Sequence, residues 1–332
     1  MLQIKGLKTH FFTDDGIVPA VDNISLTLNE GQTLGIVGES GCGKSVTALS
    51  IMRLVQRPGQ IVAGEIHLAD RGNLLDLSEP EMRKVRGNEI SMIFQEPMTS
   101  LNPVFRVRYQ MVESIKLHQK LSAREACDRA VEMLKVVGIP MPEKRIRDYP
   151  HQLSGGMRQR VMIAMALSCN PKLMLADEPT TALDVTIQAQ ILDLMNRLKE
   201  EVGTSIILIT HDLGVIAEMA QHVSVMYSGI VVESADVRTL FANPLHPYTV
   251  GLLLSIPRMD TIEEDESWLK TIPGTVPSLL NLPVGCRFSD RCTHSFELCR
   301  KQEPKLEMVE NGHFVRCWLH APRRQSDRQL ED

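Results

Sequence analysis

One octapeptide, GESGCGKS at residues 38–45, constrains the fold of this chain more than any other segment. It fits the pattern G-x-x-x-x-G-K-[ST], in which backbone N–H groups surround a polyphosphate, a lysine reaches the terminal phosphates and a hydroxyl binds Mg²⁺. The apolar run TLGIVG precedes it, and SVTALSIMRLV, whose apolar residues have helical spacing, follows it. The sequence therefore predicts a nucleotide-binding loop between a strand and a helix, made by Gly38, Glu39, Ser40, Gly41, Cys42, Gly43, Lys44 and Ser45.

A second motif, LSGGMRQR at residues 153–160, resembles the signature sequence of the ATP-binding cassette (ABC) ATPases. The resemblance extends from near the start of the chain to about Gly251, with the motifs of that family in order. In the family, the signature contacts the γ-phosphate held by the opposite subunit of a dimer. The resemblance therefore implies that Ser154, Gly155 and Gly156 complete the ATP site of a partner subunit. A serine hydroxyl and the N–H groups at a helix start suit an anion.

The segment PKLMLADEP predicts a buried strand that ends at two carboxylates, Asp177 and Glu178. Alone, such a run is weak support for catalysis, because many strands end at the N-cap of a helix. In ABC ATPases this strand carries the Walker B motif. The resemblance implies that Asp177 and Ser45 position Mg²⁺ and that Glu178 acts on the attacking water.

Two further strand ends carry candidate catalytic residues. SIILITHD predicts a buried strand that ends at His211, and SMIFQEP predicts a short strand that ends at Gln95. At such places a histidine is more often packed or capping, and a glutamine can simply cap a turn. The resemblance implies instead that His211 contacts the γ-phosphate. It also implies that Gln95 binds at the Mg²⁺ and γ-phosphate and links them to a helical subdomain.

The fold class that the resemblance implies is α/β, an ABC-type P-loop ATPase. It has a RecA-like core, an antiparallel β subdomain and a helical subdomain that carries the signature. LQIKGLKTHFF and ISLTLNEG alternate apolar and polar residues as strands do, and SAREACDRAVEMLKVVG favours helix. We assign residues 1–251 to the ATPase domain, with the helical subdomain at about 96–160. Residues 252–332 form a small cysteine-bearing extension.

The residue that stacks on adenine is open at this stage. The family places an aromatic side chain before the second strand, where this chain has Phe11 and Phe12. Either phenylalanine could be a core residue instead. The prediction is that one of the two contacts the base.

Composition bears on the partners of the chain. The formal net charge is -5, so no global basic field favours nucleic acid. No stretch approaches the roughly 20 apolar residues that a membrane-spanning helix needs, and MLQIKGLKTH lacks the apolar core of a signal peptide. We expect a soluble cytoplasmic chain with no nucleic-acid partner. Any role in membrane transport would require docking onto a separate membrane protein.

A narrower resemblance comes from VGESGCGKSV, FQEPMTSLNP and NPLHPYT at residues 243–249. These segments look like the ATPase subunits of oligopeptide, dipeptide and nickel importers, although Pro and Asn punctuate many domain boundaries. The resemblance implies an ATP hydrolase that drives uptake of peptides or a related small solute, with a nickel chelate as the alternative. Non-transport ABC ATPases usually carry tandem cassettes or coiled-coil inserts, which this chain lacks. A non-catalytic cassette would have degenerate motifs.

The same resemblance implies the assembly. The expected partners are a second related ATPase subunit, two transmembrane permeases and an extracytoplasmic substrate-binding protein. The expected location is the cytoplasmic face of the plasma membrane, as a peripheral subunit. The sequence does not separate a heterodimer from a homodimer.

Four of the seven cysteines have the spacing C-x5-C-x6-C-x17-C near the C-terminus: Cys286, Cys292, Cys299 and Cys317. Clustered cysteines in a cytoplasmic chain bind metal more often than they form disulfides. Four thiolates suit tetrahedral zinc or an iron–sulfur cluster. Some peptide importers resemble this pattern and carry a [4Fe–4S] cluster. We therefore predict that cluster, with Zn²⁺ as the alternative and a metal-free tail as the third case.

The other three cysteines and the histidines near the cysteine cluster are predicted to have no metal-binding role. We predict inert buried thiols at Cys42, Cys127 and Cys169. The histidines near the cysteines are predicted to be solvated loop residues: His294, His313 and His320. The [4Fe–4S] cluster is predicted to have a structural or assembly role remote from the ATP site.

Overall fold

The computed structural model describes residues 1–95, 100–181, 183–256, 271–310 and 312–320. Its strands are β1 (Leu2–Thr13), β2 (Gly16–Leu28), β3 (Thr33–Val37), β4 (Gly59–Leu68), β5 (Gly72–Asn73), β6 (Ile90–Ile93), β7 (Leu173–Asp177), β8 (Ser205–Ile209), β9 (His222–Tyr227), β10 (Ile230–Asp236), β11 (Glu307–Glu310) and β12 (His313–Val315). Its helices are α1 (Lys44–Ile51), α2 (Glu79–Val85), α3 (Val107–Gln119), α4 (Ala123–Val136), α5 (Pro142–Arg145), α6 (Gly155–Leu167), α7 (Val185–Val202), α8 (Leu213–Met219), α9 (Val237–Ala242), α10 (Pro247–Leu254) and α11 (Glu297–Lys301).

The N-terminal strands form an antiparallel sheet in the order β2-β1-β4-β5. Along β1, the buried residues Leu2 and Ile4 alternate with the exposed residues Gln3 and Lys5. This period of two gives the sheet one core face and one solvent face. The sheet is the antiparallel β subdomain that the sequence predicts.

A mixed sheet of eight strands forms the core, in the order β11-β12-β10-β9-β3-β8-β7-β6. The strands from β9 to β6 in this order run parallel. They are continuous apolar runs because both faces are buried. In β8, Ile206 and Leu208 pack in the cluster shared with the helices, whereas Ile207 and Ile209 pack toward the antiparallel sheet. The carboxyl ends of the parallel strands share one edge, where open α/β sheets bind ligands.

The helices α3 to α6 occupy the chain between β6 and β7. α4 begins at a capping box, in which the N–H of Ser122 donates to Glu125 and the Ser122 hydroxyl accepts the N–H of Glu125. Among residues 100–160, the described part of the predicted helical subdomain, the structure has helices and no strand. Residues 96–99 of that prediction lie outside the described residues. No described helix is long and apolar enough to cross a membrane.

The C-terminal extension adds strands to the ATPase sheet. β12 pairs with β10, placing Val315 opposite Glu233 and Phe314 opposite Ser234, and β11 pairs with β12. The boundary predicted at residue 251 falls inside α10. The extension is therefore hydrogen-bonded to the central sheet of the ATPase part through the pairing of β12 with β10.

Candidate functional site

The loop of residues 38–43 joins β3 to α1, as a phosphate-binding loop must. Gly43 is the N-cap of α1 with φ 103°, and a Cβ there would collide with the backbone oxygen of Ala20. Gly38 has φ 153°, and a Cβ there would collide with the backbone oxygen of Met226. Both positions therefore need glycine, for backbone conformation and for space.

The lysine and serine that follow the loop bind its backbone and a distant carboxylate. Lys44 is 6% exposed, and its Nζ donates to the carbonyl oxygens of Gly38 at 2.7 Å and Glu39 at 3.1 Å. The Ser45 hydroxyl donates to Oδ1 of Asp177 at 3.1 Å. Burial raises the pKa of Asp177, so a cation beside this carboxylate would favour its ionised form. Hydroxyl and carboxylate oxygens are the ligands that Mg²⁺ prefers, so this pair fits a magnesium site.

Glu178 is the centre of a polar cluster at the ends of β6, β7 and β8. Its side chain is 13% exposed. Oε2 accepts from Nε2 of Gln95 at 3.2 Å and from the hydroxyl of Thr181 at 2.9 Å, and Oε1 lies 3.1 Å from Nδ1 of His211. Its backbone has φ 47° and donates its N–H to Ile209 at 2.8 Å. The structure brings together the three residues that the sequence proposes as catalytic.

The hydrogen bonds control the charge of Glu178. Burial alone would raise its pKa, but the bonds from His211 and Thr181 outweigh that effect and lower the pKa below its ordinary value. The carboxylate is therefore ionised near neutral pH and can accept a proton from water. Thr181 was missed by the sequence analysis. Its hydroxyl, three residues after the glutamate, was the signal that could have indicated it.

The signature residues start α6. Ser154 is the N-cap, is exposed, and accepts the N–H of Met157 at 3.3 Å. Gly156 lies against α7, where a Cβ would come within 2.9 Å of Ile187. Gly155 has more open surroundings, because a Cβ there would lie 3.8 Å from the nearest atom, Cδ2 of Leu183. An exposed hydroxyl at a helix start is available to an anion on another molecule, but its role in a partner's ATP site stays a prediction.

Comparison with known proteins identifies the family. The sequence profile described as "ABC transporter" matches residues 21–181, and "Oligopeptide/dipeptide transporter, C-terminal region" matches residues 232–299. The chain is 54% identical over 321 residues to the oligopeptide transport ATP-binding protein AppD of Bacillus subtilis, covering 96% of this chain and 97% of the relative. The chain belongs to the ABC transporter family of ATP-binding proteins.

Other relatives agree with this ABC assignment. The oligopeptide transport ATP-binding protein OppD of Haemophilus influenzae is 50% identical over 321 residues, covering 97% of this chain and 98% of its own. A solved ATP-binding cassette, a dimer in a post-hydrolysis state bound to ADP and Pi, is 31% identical with a TM-score of 0.64. It covers 72% of this chain and 99% of its own. The chain is an ATP-hydrolysing cassette, and the predicted fold class is confirmed.

The two adenine candidates of this ABC protein differ in environment. Phe11 is half-buried, and its ring lies so close to Gly59 that a Cβ there would be 2.7 Å from Cε1. Phe12 is 42% exposed. Phe12 is the more exposed of the two, which favours it as the stacking partner, but the stacking role stays a prediction.

The four cysteines of the C-terminal tail line one small cavity. The N–H of Cys286 donates to the carbonyl of Cys299 at 2.7 Å, and all four are free thiols. Within the described ranges, no group of three or more His, Cys, Asp or Glu side chains is arranged to hold a metal ion. The structure therefore supports neither the predicted iron–sulfur cluster nor the zinc alternative. Of the three other cysteines, Cys42 and Cys169 are buried and Cys127 is half-buried.

The prediction that His313 is solvated is wrong. His313 is fully buried, and its Nε2 lies 2.8 Å from Oε1 of Glu233. Glu233 also accepts the backbone N–H groups of Leu245 and His246, at 2.7 and 2.9 Å. Pairing of β12 beside β10 turns this histidine inward, where it helps to satisfy a buried carboxylate. Such pairing cannot be read from local sequence.

The other two histidines also differ from each other. His320 is half-buried, and its Nε2 lies 2.9 Å from the backbone oxygen of Leu245. His294 is exposed, as predicted, at the rim of the cysteine-lined cavity. The tail also contacts the nucleotide loop. Arg291, one residue before Cys292, donates to both carboxylate oxygens of Glu39 in the nucleotide loop, at 2.7 and 3.0 Å.

Proposed function

We propose that this chain is the ATP-hydrolysing subunit of an importer for oligopeptides or dipeptides. The observation that carries this proposal is the match of residues 232–299 to the C-terminal region of oligopeptide/dipeptide transporters, outside the motifs that ABC ATPases share. Relatives similar over nearly the whole chain, named as oligopeptide transport proteins, support the same substrate class over a nickel chelate.

The nucleotide loop would bind the phosphates of ATP. Backbone N–H groups of residues 38–43 and the ammonium of Lys44 are the donors for the β- and γ-phosphates. Ser45 and Asp177 would hold Mg²⁺, which neutralises charge on the phosphate oxygens. Lys44 donates to two loop carbonyls, so its ammonium already lies against the backbone of the loop.

The cluster around Glu178 would act on the attacking water. The ionised carboxylate orients the water and draws on its proton, while His211 steadies the departing phosphate. Gln95 donates to the same carboxylate and stands at the entry to the helical part. Loss of the γ-phosphate can therefore change the position of Gln95 and, with it, the helices that follow.

The cassette would work within a larger assembly. We propose that two cassettes close around ATP, with Ser154 of each reaching the nucleotide of the other, and that the second cassette is a related ATPase subunit. Two permeases and an extracytoplasmic binding protein would complete the importer. The chain would lie at the cytoplasmic face of the membrane, where ATP is available.

An exposed groove on α3 supports docking of a permease. Its apolar lining includes Phe105, Tyr109 and Leu117, which are 42%, 54% and 72% exposed. Its basic residues are Arg106, Arg108, Lys116 and Arg147, against one acid, Glu113. Contiguous apolar surface with a charged rim is typical of interaction sites. The excess of positive charge favours an acidic, amphipathic cytoplasmic segment of the permease.

Reconstitution tests the transport function. Proteoliposomes holding the chain, its second ATPase and the permeases should take up peptide only with ATP and the loaded binding protein. Leu117→Asp places an acid against the acidic permease segment, so uptake and permease co-purification should fall roughly tenfold or more, as for an interface hot spot. Met308→Asp, at a similarly exposed apolar residue on β11, is the matched control and should retain uptake. Uptake of a nickel chelate but not of peptides would contradict the peptide assignment.

We also propose that the cysteine-lined cavity holds a [4Fe–4S] cluster in the assembled protein. Burial raises the pKa of Cys286 to about 11 and of Cys317 to about 12. Thiols buried in this way are protonated near neutral pH, so metal coordination would have to displace their protons. The four cysteines line one cavity and are the residue type that ligates such clusters, but their described arrangement is not that of a metal site, so the thiols would have to converge as metal binds. Bound metal would cross-link the segments of the tail that carry the four cysteines.

Anaerobic purification tests the cluster. The full-length protein should be brown, with broad absorbance near roughly 400 nm and about four irons per chain. Cys292→Ser should bleach it, whereas Cys127→Ser, which removes a thiol outside the cavity, should not. Colourless protein with about one zinc per chain would replace the cluster by a zinc site. Protein with neither metal would contradict both.

A further inference from the structure

Glu39, the second residue of the nucleotide loop, is held by residues from the C-terminal part of the chain. Its backbone N–H donates to Oη of Tyr248 at 2.8 Å. Its carboxylate accepts both bonds from Arg291. Its carbonyl oxygen accepts from Nζ of Lys44 at 3.1 Å. Every polar group of Glu39 is therefore engaged, two of the three by residues that lie outside the ATPase motifs.

Arg291 is itself fixed by the tail. Its side chain is 5% exposed, and its Nε donates to the backbone oxygen of Pro273 at 2.9 Å. The guanidinium carbon lies 5.8 Å from the ring centroids of Tyr227 and Phe288. Because these contacts fix the plane of the buried guanidinium, it forms a rigid bidentate ion pair with the carboxylate of Glu39. The orientation of Glu39 is thus determined by how the tail packs.

The charge of Glu39 makes this partner necessary. A carboxylate within a loop that binds polyphosphate would repel the nucleotide. The side chain of Glu39 is only 30% exposed, so solvent screens its charge only in part. The guanidinium of Arg291 cancels that charge at hydrogen-bond distance. The same pair fixes the residue whose carbonyl oxygen holds the ammonium of Lys44.

We propose that Arg291 is a positioning residue of the ATP site. It holds Glu39 in the conformation in which the carbonyl oxygen of Glu39 accepts from Lys44, and it neutralises a carboxylate that would otherwise oppose ATP binding. Tyr248 supports the same conformation through the backbone. Removal of Arg291 therefore acts on nucleotide affinity, at a distance in sequence of 252 residues from Glu39.

Arg291→Gln tests the proposal on the full-length chain, with Arg287→Gln as the matched control. Arg287 lies in the same tail and is equally buried at 6%, but it binds Asp22 and the carbonyl of Ser228. Both changes should lower the thermal midpoint. Only Arg291→Gln should weaken ATP affinity, by about tenfold, as expected for an unpaired charged group at a binding site. Titration with ATP and Mg²⁺ measures it.

The double variant Glu39→Gln/Arg291→Gln separates charge from folding. Because it removes the unpaired carboxylate, its ATP affinity should recover most of the loss seen in Arg291→Gln alone. Should Arg291→Gln fold poorly, Arg291→Lys keeps the charge but loses the second bond and should show an intermediate loss. Unchanged affinity in Arg291→Gln, equal loss in Arg287→Gln, or no recovery in the double variant would overturn the proposal.

Discussion

Replacement of Glu178 by Gln should lower ATP turnover by roughly 10²-fold or more while ATP binding is retained, because the attacking water loses its base and the phosphate-binding loop is unchanged. The amide matches the carboxylate in size, so contacts with Gln95 and Thr181 can persist with one amide rotamer. The assay is phosphate release by the assembled ATPase, paired with ATP titration of the purified chain. ATP should then accumulate in a closed dimer.

The structure defines the control for that experiment. Glu200 is exposed on α7, so Glu200→Gln removes one negative charge from the same chain without touching the site. It should hydrolyse ATP at the normal rate. Turnover near normal in Glu178→Gln would show that another group activates the water. Loss of ATP binding would show instead that the change had disturbed the loop around Lys44.

The catalytic cluster could be predicted because it depends on local patterns that topology brings together. Gln95, Glu178 and His211 each follow a buried strand, and parallel strands end at the same edge of a sheet. Their hydrogen bonds follow from the pairing of β6, β7 and β8. The sequence could not give the distances, nor the left-handed backbone of Glu178 that directs its side chain at the other two.

The C-terminal part resisted prediction for the opposite reason. Arg291 contacts Glu39, and His313 contacts Glu233, across 252 and 80 residues respectively. Nothing in the spacing of the cysteines indicates that β12 pairs with β10 or that Arg291 points at the loop. From the sequence alone, polar residues in a loop-rich tail are predicted to be exposed to solvent. Only the three-dimensional structure shows that they are buried and paired.

A second large effect is expected from Ser154→Arg. If the signature serine reaches the γ-phosphate of a partner cassette, a long cationic side chain there prevents closure and removes the hydroxyl donor. Loss of a donor from such a site lowers turnover by about 10²-fold. ATP affinity of the purified chain alone should hardly change, because Ser154 starts α6 and its hydroxyl bonds Met157 of the same helix.

Ser154→Ala is the matched control, since it loses the same N-cap bond without added bulk or charge. Both variants should unfold at slightly lower temperature, by the cost of one cap of about 1 kcal/mol. Only Ser154→Arg should abolish formation of the ATP-bound dimer, measured by size-exclusion chromatography in the Glu178→Gln background. If the purified Ser154→Arg chain loses ATP affinity to the same extent as the assembly loses turnover, the serine acts within its own subunit. The clamp arrangement would then be wrong, because a residue that serves a partner leaves the affinity of its own chain intact.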